Sequence, residues 1–317
     1  MKILKKNIYA SILLAFTVIA TVGCSSKDDD LINQEGVKAT VNGQVISQEE
    51  YDDALQAYKK MVETQYGEGA WEMEISEGKT WGSLYEDGVI IDNMIIERLL
   101  LEAANNDGIT ISDEELQSEL DVYKGYFNTE DEYQEFLKTN EMTEEYFKDA
   151  LKREYIINHY IEKKIELLNP SDEELQELFD AKKMGQQVRA SHILVETEEE
   201  AKAVIKRLNN GEDFATVSKE VSKDEGSKEK GGDLDFIKYT DNFVQEFLDA
   251  SFSLEVDEIS EPVKSQYGYH IIKVTDKKTD DTVTLESAKD SLVEMYKQTK
   301  YNELIENLKK NADIKIK

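Results

Sequence analysis

The sequence predicts an α+β protein: a mostly helical domain made from both ends of the chain, with a small antiparallel sheet wrapped by helices inserted between them. Three observations predict it. Strand-like alternation is concentrated between residues 186 and 277, in Val188 to Val195 and Tyr267 to Val274. Helical patterns with capping signals fill most of the chain before it, from Ser47 to Lys183. After it, Leu285 to Asn311 reads as a long helix whose apolar stripe (Leu285, Ala288, Leu292, Met295, Thr299, Leu304, Leu308) needs a partner. Packing that stripe on the N-terminal helices makes the sheet-bearing segment an insertion.

Met1 to Gly23 belongs to neither domain. Lys2, Lys5 and Lys6 precede an apolar run, Ile8 to Val22. At ~1.5 Å per residue the run spans about 22 Å, short of a bilayer core of ~30 Å. With the small residues Thr21-Val22-Gly23 after it, the segment has the parts of a secretory signal. Cys24 follows directly and is the only cysteine, so it has no internal disulfide partner. Its position resembles a bacterial lipobox, which implies diacylglycerol on its thiol and cleavage in front of it. An ordinary signal peptide with an incidental cysteine is the alternative. Two or more acyl chains would give stable anchoring where one would not. Residues 24–36, with Asp28-Asp29-Asp30, read as a solvated tether.

A net charge of −30 argues against nucleic acid as a partner and against docking on anionic lipid through charge. It favours solubility and a weak attraction for basic clients. Apolar residues make up 39% of the chain, enough for a core.

The helical domain is assigned residues 37–185 and 278–317. Val37 to Val41, Asn42-Gly43 and Gln44 to Ile46 form a hairpin pattern, since Asn-Gly supplies the positive φ angles of a type I′ turn. Ser47 with Glu50 is a capping box opening a helix to about Tyr66. Ser112 with Glu115, Thr129 with Glu132, Ser171 with Glu174 and Thr197 with Glu200 mark further helix starts. Glycines 67, 69, 78 and 82 with Trp71 and Trp81 point to a loop or irregular insertion. Val89 to Ala104 is apolar nearly all round, as in a helix buried on most sides, and Gly108 ends it. Glu114 to Lys124, Asp131 to Thr139 and Thr143 to Leu168 continue the helices. Pro170 opens a linker helix, Ser171 to Lys183. The order of these elements, with Gly108-Ile-Thr-Ile-Ser-Asp-Glu-Glu-Leu116, resembles the SurA-type N-terminal chaperone domain over roughly Ala39 to Leu168. Asp313 to Lys317 alternates as a strand able to pair with the hairpin. His159, with no second His or Cys nearby, reads as a surface or packing histidine rather than a ligand.

Residues 186–277 carry the chemistry. Val188, Ala190, His192 and Leu194 share one strand face, and so do His270, Ile272 and Val274. Between them lie Lys230-Gly231-Gly232-Asp233-Leu234 and the aromatics Phe236, Phe243, Phe247 and Phe252. On these residues the stretch resembles a parvulin-type peptidyl-prolyl isomerase domain. The resemblance implies catalysis of cis/trans isomerisation at X-Pro bonds. It places proline-slot residues at Leu234, Phe243 and Phe247, and a polar ring at His192, Asp224, Ser265, Tyr267 and His270. Ser222-Lys223-Asp224 fits the family's Ser-x-Cys/Asp motif with one extra loop residue; counted without the insertion, the carboxylate is Glu225. The two histidines fit either a hydrogen-bonded pair that shapes the fold or donors to the substrate. A zinc site is disfavoured, since no Cys is free and the third His lies in another domain. The family's usual Gly-Asp-Leu-Gly-Trp-Phe is here Gly232-Asp233-Leu234-Asp235-Phe236-Ile237, and its usual Gly-Gln-Met is replaced by Thr240-Asp241-Asn242-Phe243, where a Phe can fill the slot as Met does but the rim is altered.

The reaction breaks no bond, so no nucleophile, metal or other cofactor is needed. It crosses a barrier of ~20 kcal/mol and takes tens to hundreds of seconds uncatalysed. It requires an apolar slot for the proline ring and a polar setting that favours the twisted amide.

Lipobox, chaperone-like helices and inserted parvulin together resemble the PrsA-type foldase lipoproteins of Gram-positive bacteria. That resemblance implies an isomerase anchored to the outer face of the cell membrane through diacylglycerol on Cys24. Its partners would be unfolded or partly folded secreted polypeptides, not nucleic acid, and a homodimer is left open. A lipid-anchored holdase with a catalytically weak parvulin domain is the second reading. A solute-binding lipoprotein is remote, because the pattern supplies no pair of α/β lobes.

Overall fold

The computed structural model describes residues 31–76, 78–140 and 142–317; the signal segment and Cys24 lie outside them. The described residues divide into two compact units, those up to 168 together with 297–317, and 169–296. The first is discontinuous in sequence and the second is inserted into it.

The first unit opens with the predicted hairpin, β1 (Val37–Val41) and β2 (Gln44–Ser47). Asn42 and Gly43 have φ of 50° and 78°, as a type I′ turn requires. Ser47 and Glu50 close a complete capping box on α1 (Gln48–Tyr66). Glu50 does double duty, because its other carboxylate oxygen meets Arg98 at 2.6 Å with only 4% of the side chain exposed. The glycine-rich stretch is less irregular than predicted. It holds a two-stranded hairpin, β3 (Glu74–Ser76) and β4 (Lys79–Thr80), and a turn of helix, Trp81–Leu84. Strands of two or three residues are too short to leave an alternating pattern. The stretch ends in α2 (Ile90–Asn106), buried at Ile90, Ile91, Met94, Ile95, Leu99 and Leu100.

Next come α3 (Asp113–Lys124), α4 (Glu130–Thr139) and α5 (Glu144–Ile161). Leu120, Tyr133, Leu137, Phe147 and Leu151 form one core among them. At Thr129 the box is half made: Thr129 accepts from Glu132 N–H, while Glu132 reaches back to Asn128 N–H at 2.9 Å.

The inserted unit begins with α6 (Asp172–Ala181) and a four-stranded antiparallel sheet. Its strands are β5 (Gln186–Val195), β6 (Asp233–Lys238), β7 (Val263–Ser265) and β8 (Gly268–Thr279), in the order β6-β5-β8-β7. Helices cover both faces. On one, α7 (Glu198–Asn209) and α8 (Phe214–Val221) pack Ala201, Val204, Phe214 and Val217 on Ile193, Val195 and Ile271. On the other, α9 (Gln245–Ser253) packs Phe247, Leu248 and Phe252 on Val188, Ala190, Ile272 and Val274. The parity of His192 and His270 with core aliphatics therefore describes the α9 face, and the opposite parity is equally buried.

The last helix, α10 (Leu285–Lys310), leads to β9 (Ile314–Ile316), which pairs antiparallel with β1. Its stripe does not pack on one partner as the sequence suggested. Ala288 and Leu292 bury against Leu175 of α6 in the inserted unit. Ile305, with Tyr301, Leu304 and Leu308, joins Leu100, Ala104, Ile156 and Tyr160 in the first unit. The compact inserted unit thus reaches beyond residues 186–277, taking in α6 and the start of α10.

Candidate active site

The site is assembled around the β5 edge at His192. Pairing with β6 ends at Ser191 and Asp233, after which His192 N–H donates to Gly232 O at 2.9 Å. Two residues on, Leu194 N–H donates to Ser222 Oγ at 3.2 Å, and Lys223 N–H to Leu194 O at 2.8 Å. The 222–232 loop is therefore clipped to β5 on both sides of His192. Gly232 makes this approach possible: its φ is +83°, and a Cβ there would fall 2.2 Å from His192 O.

The clipping brings Asp224 onto His192, with Oδ2 2.7 Å from Nε2. On the neighbouring strand His270 is the diagonal neighbour of His192, and the two Nδ1 atoms lie 3.2 Å apart. From β7, Ser265 Oγ lies 2.8 Å from His270 Nε2 and accepts from Tyr267 N–H at 3.1 Å. An ionised carboxylate only accepts, so His192 carries its proton on Nε2 and accepts at Nδ1. His270 then donates from Nδ1 and accepts the Ser265 hydroxyl at Nε2. Four side chains form one directional run, Ser265 to His270 to His192 to Asp224.

The electrostatics agree with this assignment. Burial, helped by His192 beside it, pushes the pKa of His270 down to about 4. Partial burial pushes Asp224 up, but hydrogen bonds from Ser227 and His192 outweigh it and hold the carboxyl below its ordinary value. Phe247 is buried under both rings, its centroid 5.5 Å from each. Phe243 lies 5.2 Å from Phe247 and is 37% exposed, so it is the aromatic face open to a ligand. Leu234 is half-buried against the same core.

Of the residues assigned from sequence, His192, Asp224, Ser265 and His270 come together, with Phe243, Phe247 and Leu234 beside them. Tyr267 joins through its backbone alone; its side chain is 65% exposed. Glu225 points away and pairs with Lys228 at 2.7 Å, so Asp224 is the carboxylate on the histidines. His159 stacks on Tyr155 at 3.9 Å, far along the chain on α5. Sequence reasoning missed Ser227, which is buried and donates its hydroxyl to Asp224 Oδ2. Its three-residue offset from Asp224 was the available signal, a turn closed by Lys228 N–H on Asp224 O at 2.9 Å. Asp235, where the parvulin pattern has Gly, adopts φ of +60° and accepts its neighbour's Phe236 N–H at 2.9 Å. An aspartate tolerates this left-handed conformation better than most side chains.

Comparison with known proteins agrees with the fold. Residues 174–278 match the family model of the PPIC-type PPIase domain, and residues 1–161 that of the SurA-like N-terminal domain. The inserted unit is thus a parvulin-type peptidyl-prolyl isomerase domain, set into a SurA-like helical one. The foldase protein PrsA of Clostridium botulinum (strain Langeland) is 36% identical over 294 residues, 87% of each chain. That of Clostridium acetobutylicum is 34% identical over 307 residues, 93% of this chain and 91% of the relative. The crystal structure of the peptidylprolyl isomerase PrsA from Bacillus cereus is 30% identical, covers 87% of this chain and 92% of that one, and aligns with a TM-score of 0.45. The chain belongs to the PrsA foldase family.

Proposed function

We propose that this foldase is lipid-anchored at the outer face of the cell membrane, where it isomerises X-Pro bonds of secreted polypeptides and holds them on its helical unit. The observation that carries the catalytic part is the Ser265–His270–His192–Asp224 run beside the open ring of Phe243. The proline ring rests on Phe243, with Leu234 and Phe247 behind it, and the preceding carbonyl turns toward Asp224. A planar amide carries more negative charge on its oxygen than a twisted one. A fixed carboxylate therefore raises the planar ground state more than the twisted transition state. The neutral His270 suits this, because a cation beside the oxygen would stabilise the planar form instead. Shortening ~100 s to ~10 ms takes about 5.4 kcal/mol, at ~1.36 kcal/mol per tenfold.

Holding a client is supported by the exposed Tyr66, Met73 and Leu84 near Trp81, on which Tyr66 stacks at 5.0 Å. Anchoring is supported by the Lys2–Cys24 sequence; among the described residues no helix is long and apolar enough to cross a membrane.

A protease-free isomerisation assay, on peptides varied before proline, tests the catalytic part. Asp224→Ala should lower kcat/KM yet still suppress aggregation of a proline-free client. Full rates in Asp224→Ala and Glu225→Ala, separately and together, would remove the carboxylate role. No rate above the spontaneous one in the unmutated chain leaves only the holdase. Cys24→Ala should leave an unprocessed precursor or release the protein to the medium, and normal lipid labelling of that variant ends the anchoring proposal.

A further inference from the structure

We infer that Ser227 is a positioning residue for isomerisation: its buried hydroxyl fixes the Asp224 carboxylate so that one oxygen faces the substrate. This rests on the catalytic reading of Asp224 above.

Ser227 is only 2% exposed, and its backbone is tied at both ends. Its N–H donates to Asp224 O at 3.3 Å, while its carbonyl accepts both Lys230 N–H and Gly232 N–H at 2.9 Å. Gly232 in turn binds His192 through its carbonyl, so Ser227 and His192 share one backbone frame. A buried hydroxyl with no catalytic business is ordinarily satisfied by a nearby carbonyl, as Ser251 is by Phe247 O at 2.7 Å. Ser227 instead donates to Asp224 Oδ2, the oxygen that already accepts from His192 Nε2. Two strong donors on Oδ2 leave Oδ1 with only the long contact from Gly226 N–H at 3.3 Å. The carboxylate is 30% exposed. Its lone pairs on Oδ1 are thus the ones left for a substrate, and the two donors on Oδ2 prevent rotation that would exchange the oxygens. His192 alone, a single donor, leaves that rotation free.

The test is the pH profile of kcat/KM on the full chain, for Ser227→Ala and the near-isosteric Ser227→Cys, each also combined with Asp224→Ala. Removing a donor to a carboxylate makes it protonate at higher pH. Ser227→Ala should therefore cut kcat/KM roughly tenfold and move the acid limb up by about one pH unit. Ser227→Cys, a weaker donor of the same shape, should move the limb in the same direction by less, and carries the test if the alanine variant does not fold. In the Asp224→Ala background neither change should cost anything further. An unmoved acid limb, or equal losses with and without Asp224, overturns the positioning role. Full activity of Asp224→Ala alone overturns the carboxylate reading and the positioning role with it, so the two failures are separable.

Discussion

Replacing Glu154 by Gln should stabilise the helical unit at pH 8 and leave it nearly unchanged at pH 4.5. Glu154 lies on α5 and is 7% exposed, with Oε1 buried and unpartnered. Burial, with repulsion from Glu119, pushes its pKa up from 4.5 to about 7, against a hydrogen bond from Asn158. The unfolded chain releases this proton near the ordinary value, the folded chain only near 7. Between those values the folded state holds more protons, so stability falls as pH rises through the window and stays low above it. A gap of roughly 2.5 units at ~1.36 kcal/mol each makes the loss about 3 kcal/mol. Glutamine keeps the shape and cannot ionise, so its stabilisation should grow by that amount from pH 4.5 to 8. Urea unfolding followed by tryptophan fluorescence measures it cleanly, since both tryptophans, Trp71 and Trp81, lie in the same unit as Glu154. An identical effect of Glu154→Gln at both pH values would refute the reasoning.

The sheet unit should respond to pH in the opposite sense. With its folded pKa near 4, below the ordinary 6.5, His270 contributes stability that is complete above about pH 6.5 and lost as pH falls toward 4; an NMR titration of its ring placing the midpoint near 6.5 contradicts this. Asp235→Gly removes the strain of a side chain at φ +60° and should raise the stability of the sheet unit by about 1 kcal/mol, visible as a higher transition temperature in calorimetry. A lower transition temperature would mean the Asp235 hydrogen bond to Phe236 N–H outweighs the strain.

Much of this architecture is legible in local sequence because its causes are local. The Asn42-Gly43 turn and the boxes at Ser47, Ser112, Ser171 and Thr197 are satisfied within four residues of chain, so spacing alone reveals them. His192 and His270 were legible for a similar reason, since strand parity sets which face they share. What could not be read has non-local causes. The choice of Asp224 over Glu225 depends on where loop 222–232 is clipped to β5, and that is fixed by Leu194 and Gly232. The division of the α10 stripe depends on Leu175 lying opposite Ala288 and Leu292, more than a hundred residues away in sequence. The ion pairs of Arg98 with Glu50 and Arg153 with Glu97 lie among so many surface carboxylates that composition gives no hint of them.

The pairing of β1 with β9 bears on the order in which the chain folds as it is synthesised. Ala39, Thr40 and Val41 are opposed to Ile316, Lys315 and Ile314, so the three-stranded sheet of the first unit is complete only once β9 has joined the β1–β2 hairpin. Closing so long a loop is entropically costly and slow. Residues 169–296, by contrast, are contiguous and contain every strand of their own sheet. A chain emerging N-terminus first can complete its isomerase while the helical unit is still missing an edge strand. The isomerase unit would then be assembled before the helical unit that surrounds it in sequence, an order that pulse-labelling with limited proteolysis during synthesis can resolve.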